Sequence, residues 1–165
     1  MHDDPVRFEI REGVAIVTLH NPPLNVVNLP LTRALGAALT ALEADDEVYV
    51  VIVTGQGERA FCAGSDIGEF DALMAPGKVI PGKLGRQNEI FAQLDNFPKP
   101  TIAALNGLAY GGGLEIAVCC DLLVAEEQIR LCLPEIKLGV FKQWGYCPRH
   151  AAHRRGSSKR NDVFG

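Results

Sequence analysis

The run Val48-Tyr49-Val50-Val51-Ile52-Val53-Thr54 is almost unbroken in β-branched and aromatic residues. It offers water no polar face, so it reads as a strand buried on both faces, the kind that parallel sheets carry. Working outward toward the N-terminus, Leu31, Ala34, Leu35, Ala38, Leu39 and Leu42 recur at helical spacing. That predicts an amphipathic helix over 30–42 with proline in its first turn. Earlier still, residues 7–13 and 14–20 are two short β-rich runs joined at Glu12-Gly13, where glycine supplies the positive φ of a tight hairpin turn. Asn21-Pro22-Pro23 ends the hairpin, because proline donates nothing to a ladder. Hairpin, helix and buried strand together give an α/β fold.

Outward in the other direction, Gly55-Gln56-Gly57 precedes a strand-like Ala60-Phe61-Cys62. Asp66 is placed to cap a helix running to Met74, with Glu69 three residues on to complete a capping box. Residues 75–83 carry Pro76, Gly77, Pro81 and Gly82 and read as a loop. A helix over 85–96, a strand over 101–105, a helix over 113–120 and strands over 122–125 and 129–132 follow. The elements repeat as β-β-α or β-α units. The competing α/β arrangement is a doubly wound nucleotide-binding domain, and strand order separates the two.

The chain has 165 residues, 47% hydrophobic and 22% charged, which excludes a disordered, collagen-like or coiled-coil chain. No apolar run approaches the roughly 20 residues that span a bilayer, and Met1-His2-Asp3-Asp4-Pro5 is acidic where a signal peptide is basic and then apolar. A cytoplasmic protein without a membrane partner is expected. The five cysteines, Cys62, Cys119, Cys120, Cys132 and Cys147, are odd in number and include no Cys-x-x-Cys pair. They are expected to be small core residues in a reducing compartment. Charge divides the chain at Phe141. Residues 1–141 hold 10 Lys and Arg against 19 Asp and Glu, a net of −9, and residues 142–165 hold 6 against 1, a net of +5. The second part also carries Trp144, His150 and His153 and shows no apolar periodicity. A basic tail suits nucleic acid or an anionic membrane, unless it is incidental to the evolved protein.

Two segments could carry chemistry. Asn106-Gly107-Leu108-Ala109-Tyr110-Gly111-Gly112-Gly113-Leu114-Glu115 places three glycines between a strand and an apolar helix, where bare N–H groups point along the helix dipole toward a ligand. No Gly-Lys-Ser/Thr ending follows, and Ile116 stands where a dinucleotide fingerprint needs its last glycine. A tight packing turn explains the triple glycine equally well. Phe61-Cys62-Ala63-Gly64-Ser65-Asp66-Ile67 is a second strand-to-helix turn with exposed backbone. Two such turns can aim N–H groups at one developing oxyanion. Taken singly, Glu115 is an acid complementing a helix N-terminus and Glu135, after Pro134, a solvated loop residue.

Four motifs in order, Phe61–Ile67, Lys99-Pro100 through Gly107, Gly111-Gly112-Gly113-Leu114-Glu115 and Pro134-Glu135-Ile136-Lys137-Leu138-Gly139, closely resemble the enoyl-CoA hydratase/isomerase (crotonase) family, and residues 21–28 resemble its early loop. The resemblance covers about residues 5–141. It implies a crotonase-like spiral of β-β-α units and an acyl-CoA thioester substrate, with no metal and no cofactor beyond the coenzyme A that the substrate carries. It implies an oxyanion hole from the N–H groups of Ser65 and Gly112, serine standing where the family often has alanine. The family's two hydratase glutamates match Glu115 and Glu135. Leu24, Val26, Ala63, Ser65, Asp66, Ile67, Tyr110, Gly112, Pro134, Glu135 and Leu138 fall where the family lines its acyl-CoA groove, although packing explains the apolar ones and a helix cap explains Asp66.

These matches imply hydration of 2-enoyl-CoA thioesters. The alternatives are a crotonase-type isomerase or dehydratase acting on a branched or aromatic acyl-CoA, or a non-catalytic fragment that associates with intact subunits. Intact members are expected to be homotrimers or hexamers. The family pattern breaks at Lys142, so residues 1–141 read as a truncated acyl-CoA-binding core that lacks the C-terminal helical part, and 142–165 as a non-homologous basic tail. Permitted codons for residues 153–164, read one nucleotide later, can encode Ile-Gly-Glu-Ala-Arg-Ala-Asn-Glu-Met-Met-Phe, which looks like the family's next helix. A frameshift near residue 141 follows from that reading, and the tail then has no evolved partner, nucleic acid included. The truncated chain is expected to be weakly active at best.

Overall fold

The computed structural model describes residues 4–66, 68–69 and 85–134. Strands β1 (Val6–Arg11) and β2 (Val14–Leu19) form the expected hairpin, Val6 facing Leu19 and Arg11 facing Val14. Its two turn residues, Glu12 and Gly13, have φ of 51° and 81°, the doubly positive turn whose twist matches the strands. Helix α1 (Leu29–Ala44) starts at Asn28, whose Oδ1 accepts the Leu31 N–H at 2.8 Å. It buries Leu31, Leu35, Leu39 and Leu42 to 1% exposure or less, each side chain gaining about 1.5–3 kcal/mol by leaving water. Its C-terminal end is held by Lys99, whose Nζ donates to the carbonyls of Leu42 at 2.7 Å and Asp45 at 2.6 Å, a cation where the helix dipole is negative.

Strand β3 (Val50–Gly55) begins two residues later than the apolar run predicts. The expectation of burial on both faces is corrected: Val51, Val53 and Gly55 are buried, Val50, Ile52 and Thr54 are only half-buried, and Tyr49 is 71% exposed. Strand β4 (Ala60–Cys62) is buried throughout. Helix α2 (Gly85–Asp95) packs on α1, so tightly that a Cβ on Gly36 would stand 2.4 Å from Ile90 Cδ1. Strand β5 (Thr101–Leu105) lies where expected.

A three-residue strand that the pattern did not show, β6 (Leu108–Tyr110), stands between β5 and the triple glycine. Helix α3 covers Gly112–Val118 rather than 113–120. Strand β7 (Leu122–Ala125) is as expected, whereas β8 is only Leu131–Cys132, with Ile129 and Arg130 outside it. Loop 75–83, most of the predicted 66–74 helix and the basic tail lie outside the described residues.

Topology decides between the two α/β arrangements. One five-stranded sheet has the order β1-β2-β3-β5-β7 and a second, three-stranded sheet has β4-β6-β8, every pair after the hairpin being parallel. From β3 onward the chain alternates between the sheets and advances one position each time. That is a spiral of β-β-α units. A doubly wound domain has one sheet whose strand order reverses. The core joins Ala15, Val17 and Leu19 of β2, Val51 and Val53 of β3 and Ala103 of β5 with the buried face of α1 and with Phe61, Phe91, Phe97 and Ile116. The last strands are uncovered: Leu122 is 60%, Val124 60% and Leu131 49% exposed. Among the described residues no helix is long and apolar enough to cross a membrane.

Three cysteines follow expectation and one does not. Cys62, Cys119 and Cys120 are buried, but Cys132 is exposed on β8. Burial pushes the Cys62 and Cys120 thiols up to about 12, because a thiolate there would be stripped of water. Cys147 lies outside the described residues.

Candidate active site

The site forms where the second sheet's strands end. Residues 63–66 leave β4 and run beside the early loop: the Ala63 N–H donates to the Leu24 carbonyl at 2.9 Å, Val27 to Gly64 at 2.7 Å and Asp66 to Val27 at 2.9 Å. Val27 and Ser65 thereby form a parallel bridge. The pattern spends the Gly64 carbonyl and the Asp66 N–H on the loop, so the Ser65 N–H between them points the other way. Buried Asn25 fixes the loop, its Nδ2 donating to the carbonyls of Gln56 at 3.0 Å and Ala60 at 2.9 Å. Leu24 and Val26 are thus brought alongside Ala63, Ser65 and Asp66, and all five are half-buried.

Asp66 does begin a turn of helix at residues 68–69, its Oδ1 accepting the Gly68 N–H at 2.9 Å. The capping box is corrected. With the Asp66 N–H given to Val27, Glu69 turns instead to α1, and both its carboxylate oxygens stand 3.2 Å from the Leu29 N. Glu69 therefore ties the second turn to the start of α1.

The triple glycine brings the other wall. Gly113 is an obligatory close contact, since a Cβ there would meet the Cys62 carbonyl oxygen at 2.2 Å and its carbon at 2.7 Å. This lets α3 seat directly on β4. Gly112 is different. A Cβ on it would stand 3.1 Å from Ser65 Oγ, 3.6 Å from Ser65 N and 3.9 Å from Glu115 Oε2. One point in space, left open by the missing side chain, is therefore ringed by a hydroxyl, a backbone donor and a carboxylate. Among the described residues, neither the Ser65 nor the Gly112 N–H has a backbone acceptor. Half-buried Glu115 sits in the first turn of α3, where the helix dipole favours its charge.

Tyr110 ends β6 beside this point, and exposed Pro134 follows β8, which is held to β6 by the Ala109 N–H on the Arg130 carbonyl and the Gly111 N–H on the Cys132 carbonyl, both 2.9 Å. Ile67, Glu135 and Leu138 lie outside the described residues. Sequence reasoning missed Gln87. Only 4% exposed, it donates from Nε2 to Ser65 Oγ at 3.2 Å. The one available signal was an amide on the apolar face of the 85–96 helix, in register with Ile90, Phe91 and Leu94. A separate open concavity of about 200 Å³ lies over the ends of β3, β5 and β7, and Thr54, Asn106, Val124 and Glu126 line it without any of the predicted residues. Among the described residues no group of three His, Cys, Asp or Glu could hold a metal.

The family model for enoyl-CoA hydratase/isomerase matches residues 9–159, a range that runs past Phe141. A probable enoyl-CoA hydratase of Bacillus subtilis is 38% identical over 137 residues, 82% of this chain and 52% of that protein. A short-chain-enoyl-CoA hydratase of Clostridium acetobutylicum is 40% identical over 137 residues with the same coverage. Among solved structures, an enoyl-CoA hydratase/carnithine racemase from Magnetospirillum magneticum superposes with a TM-score of 0.81 at 34% identity, covering 92% of this chain and 56% of that one. The chain spans about half the length of the curated relatives it matches.

Proposed function

The chain belongs to the enoyl-CoA hydratase/isomerase family, and on that premise we propose that its site hydrates 2-enoyl-CoA thioesters. The observation that carries the reading is the open point at Gly112, with Ser65 N, Ser65 Oγ and Glu115 Oε2 within 4 Å of it. Attack of water on the β-carbon of a conjugated thioester moves an electron pair onto the carbonyl oxygen. The N–H groups of Ser65 and Gly112 are the donors for that oxygen. Fixed donors in a water-poor site stabilise such charge by several kcal/mol.

In this reading Glu115 and Glu135 divide the proton work. One carboxylate takes a proton from water as the C–O bond forms, and the other carboxyl delivers a proton to the α-carbon as the enolate collapses. Water has then added across the double bond, and exchange with solvent resets the two carboxyls. The residues proposed for the acyl-CoA groove are Leu24, Val26, Ala63, Asp66, Tyr110 and Pro134, together with Ile67 and Leu138, which lie outside the described residues. The same proposal makes the protein a cytoplasmic lyase whose intact form is a homotrimer or hexamer, with coenzyme A entering only as part of the substrate. It also retains the division at residue 141 and the shifted reading frame of the tail.

A second reading, a fragment that associates with intact subunits, is favoured by the uncovered apolar residues of β7 and β8. Hydration of a short enoyl-CoA, followed by the loss of the conjugated thioester's near-ultraviolet absorbance, tests the first reading. Turnover by the chain, or by its frame-restored form, that falls at least 100-fold on Glu115→Gln supports it. Co-purification with full-length family subunits and no turnover of either form supports the second.

A further inference from the structure

We propose that the Ser65 hydroxyl, oriented by the buried amide of Gln87, is a third hydrogen-bond donor to the thioester oxygen, and that Gln87 is its positioning residue. The inference rests on the acyl-CoA reading above. Gln87 is 4% exposed on the face of α2 that enters the core, and its Nε2 lies 3.2 Å from Ser65 Oγ. A buried amide is costly to leave unpaired, so this bond fixes both partners. Nε2 can only donate, hence Oγ accepts, and the hydroxyl proton must leave on another side. Oγ lies 3.1 Å from the position a Cβ on Gly112 would occupy, beside the Ser65 N–H at 3.6 Å from the same position. A ligand oxygen accepting the Ser65 and Gly112 N–H groups is therefore within reach of that proton as well. An alanine at position 65 keeps both backbone donors and loses the third.

Only charge that develops during reaction benefits fully from such a donor, so the effect belongs in kcat more than in KM. The probe is acetoacetyl-CoA, whose enolate absorbs in the near ultraviolet and carries its charge on the oxygen in question. It is titrated on the full 165-residue chain and on its Ser65→Ala, Gln87→Leu and doubly substituted forms, with circular dichroism as the folding control. A hydrogen bond to a charged oxygen implies that Ser65→Ala raises the apparent pKa of the bound ligand by about one unit and lowers any measurable enoyl-CoA turnover about 10- to 100-fold with KM little changed. Gln87→Leu gives a smaller change in the same direction and adds nothing once Ser65 is alanine.

An enolate band unchanged by Ser65→Ala overturns the inference alone. So does a Gln87→Leu effect of equal size with and without Ser65. A shifted pH profile of turnover with an unchanged band places the hydroxyl on Glu115 and overturns it too. No enolate band on either the 165-residue chain or its frame-restored form overturns the acyl-CoA reading and the inference together.

Discussion

Adding one methyl group at adjacent glycines should have opposite consequences. At Gly113 the new Cβ meets the Cys62 carbonyl oxygen at 2.2 Å and its carbonyl carbon at 2.7 Å, about 1 Å inside normal contact. Both atoms belong to the backbone of fully buried β4, so no side-chain rotation relieves the overlap and α3 must lift from the strand. Overpacking of this kind costs upward of about 3 kcal/mol, more than the roughly 1 kcal/mol that alanine gains over glycine in a helix. At Gly112 the nearest atom is Ser65 Oγ at 3.1 Å, a side-chain atom that can give by a few tenths of an ångström while keeping its bond to Gln87, and the next is Ser65 N at 3.6 Å. That costs a few tenths of a kcal/mol, which helix propensity offsets, while the methyl crowds the approach to the backbone donors. Gly112→Ala should keep its urea midpoint within experimental error yet lose acetoacetyl-CoA binding and at least 100-fold in any turnover. Gly113→Ala should lose stability outright. A Gly112→Ala chain that binds and turns over normally, or one less stable than Gly113→Ala, would refute the reasoning.

Lys99→Met removes the ammonium from the carbonyls of Leu42 and Asp45 and should cost about 1–3 kcal/mol in urea unfolding, without altering ligand affinity. The Cys62 and Cys120 thiols sit near 12 in the folded chain against an ordinary value of 9.0. Their contribution is whole below about pH 9 and is lost as pH rises toward about 12, because the unfolded thiols ionise first; stability measured between pH 8 and 11 should fall, and less steeply in a Cys62→Ala chain. At pH 8 an aromatic disulfide should label exposed Cys132 in the native state and Cys62, Cys119 and Cys120 only after unfolding, as peptide mapping would show. Restoring the family reading frame after residue 141 should raise soluble yield, sharpen the thermal transition and raise turnover, since covering Leu122, Val124 and Leu131 returns apolar area worth about 25 cal/mol per Å²; equal values for the two chains would count against the shifted frame.

The fold was legible wherever periodicity ran long enough to be counted. Helix α1 was read to within two residues because six apolar positions agreed on one period, and the hairpin because two β-rich runs meet at Glu12-Gly13. Strand β6 was missed because Leu108, Ala109 and Tyr110 stand between Gly107 and the triple glycine, whose turn signals outweigh three residues. The capping box failed for a tertiary reason. Glu69 had a local partner on offer at Asp66, but the bridge to Val27 had already taken that N–H and the start of α1 presented another. Within the candidate site, the motifs identified which turns would meet, and the meeting of Ser65, Gly112 and Glu115 follows from the glycines that let α3 approach β4. Gln87 was not legible, because a single amide in an apolar stripe acquires meaning only when Ser65, 22 residues earlier, arrives opposite it.

The most direct test of the central claim is hydration of crotonyl-CoA by the frame-restored chain, with the product identified by mass and the Glu115→Gln and Glu135→Gln forms measured beside it. The account predicts 3-hydroxybutyryl-CoA from the frame-restored chain with both glutamates in place and a loss of at least about 100-fold in kcat for each substitution, with the folded state preserved. No hydrated product, or turnover unchanged by both substitutions, would contradict it.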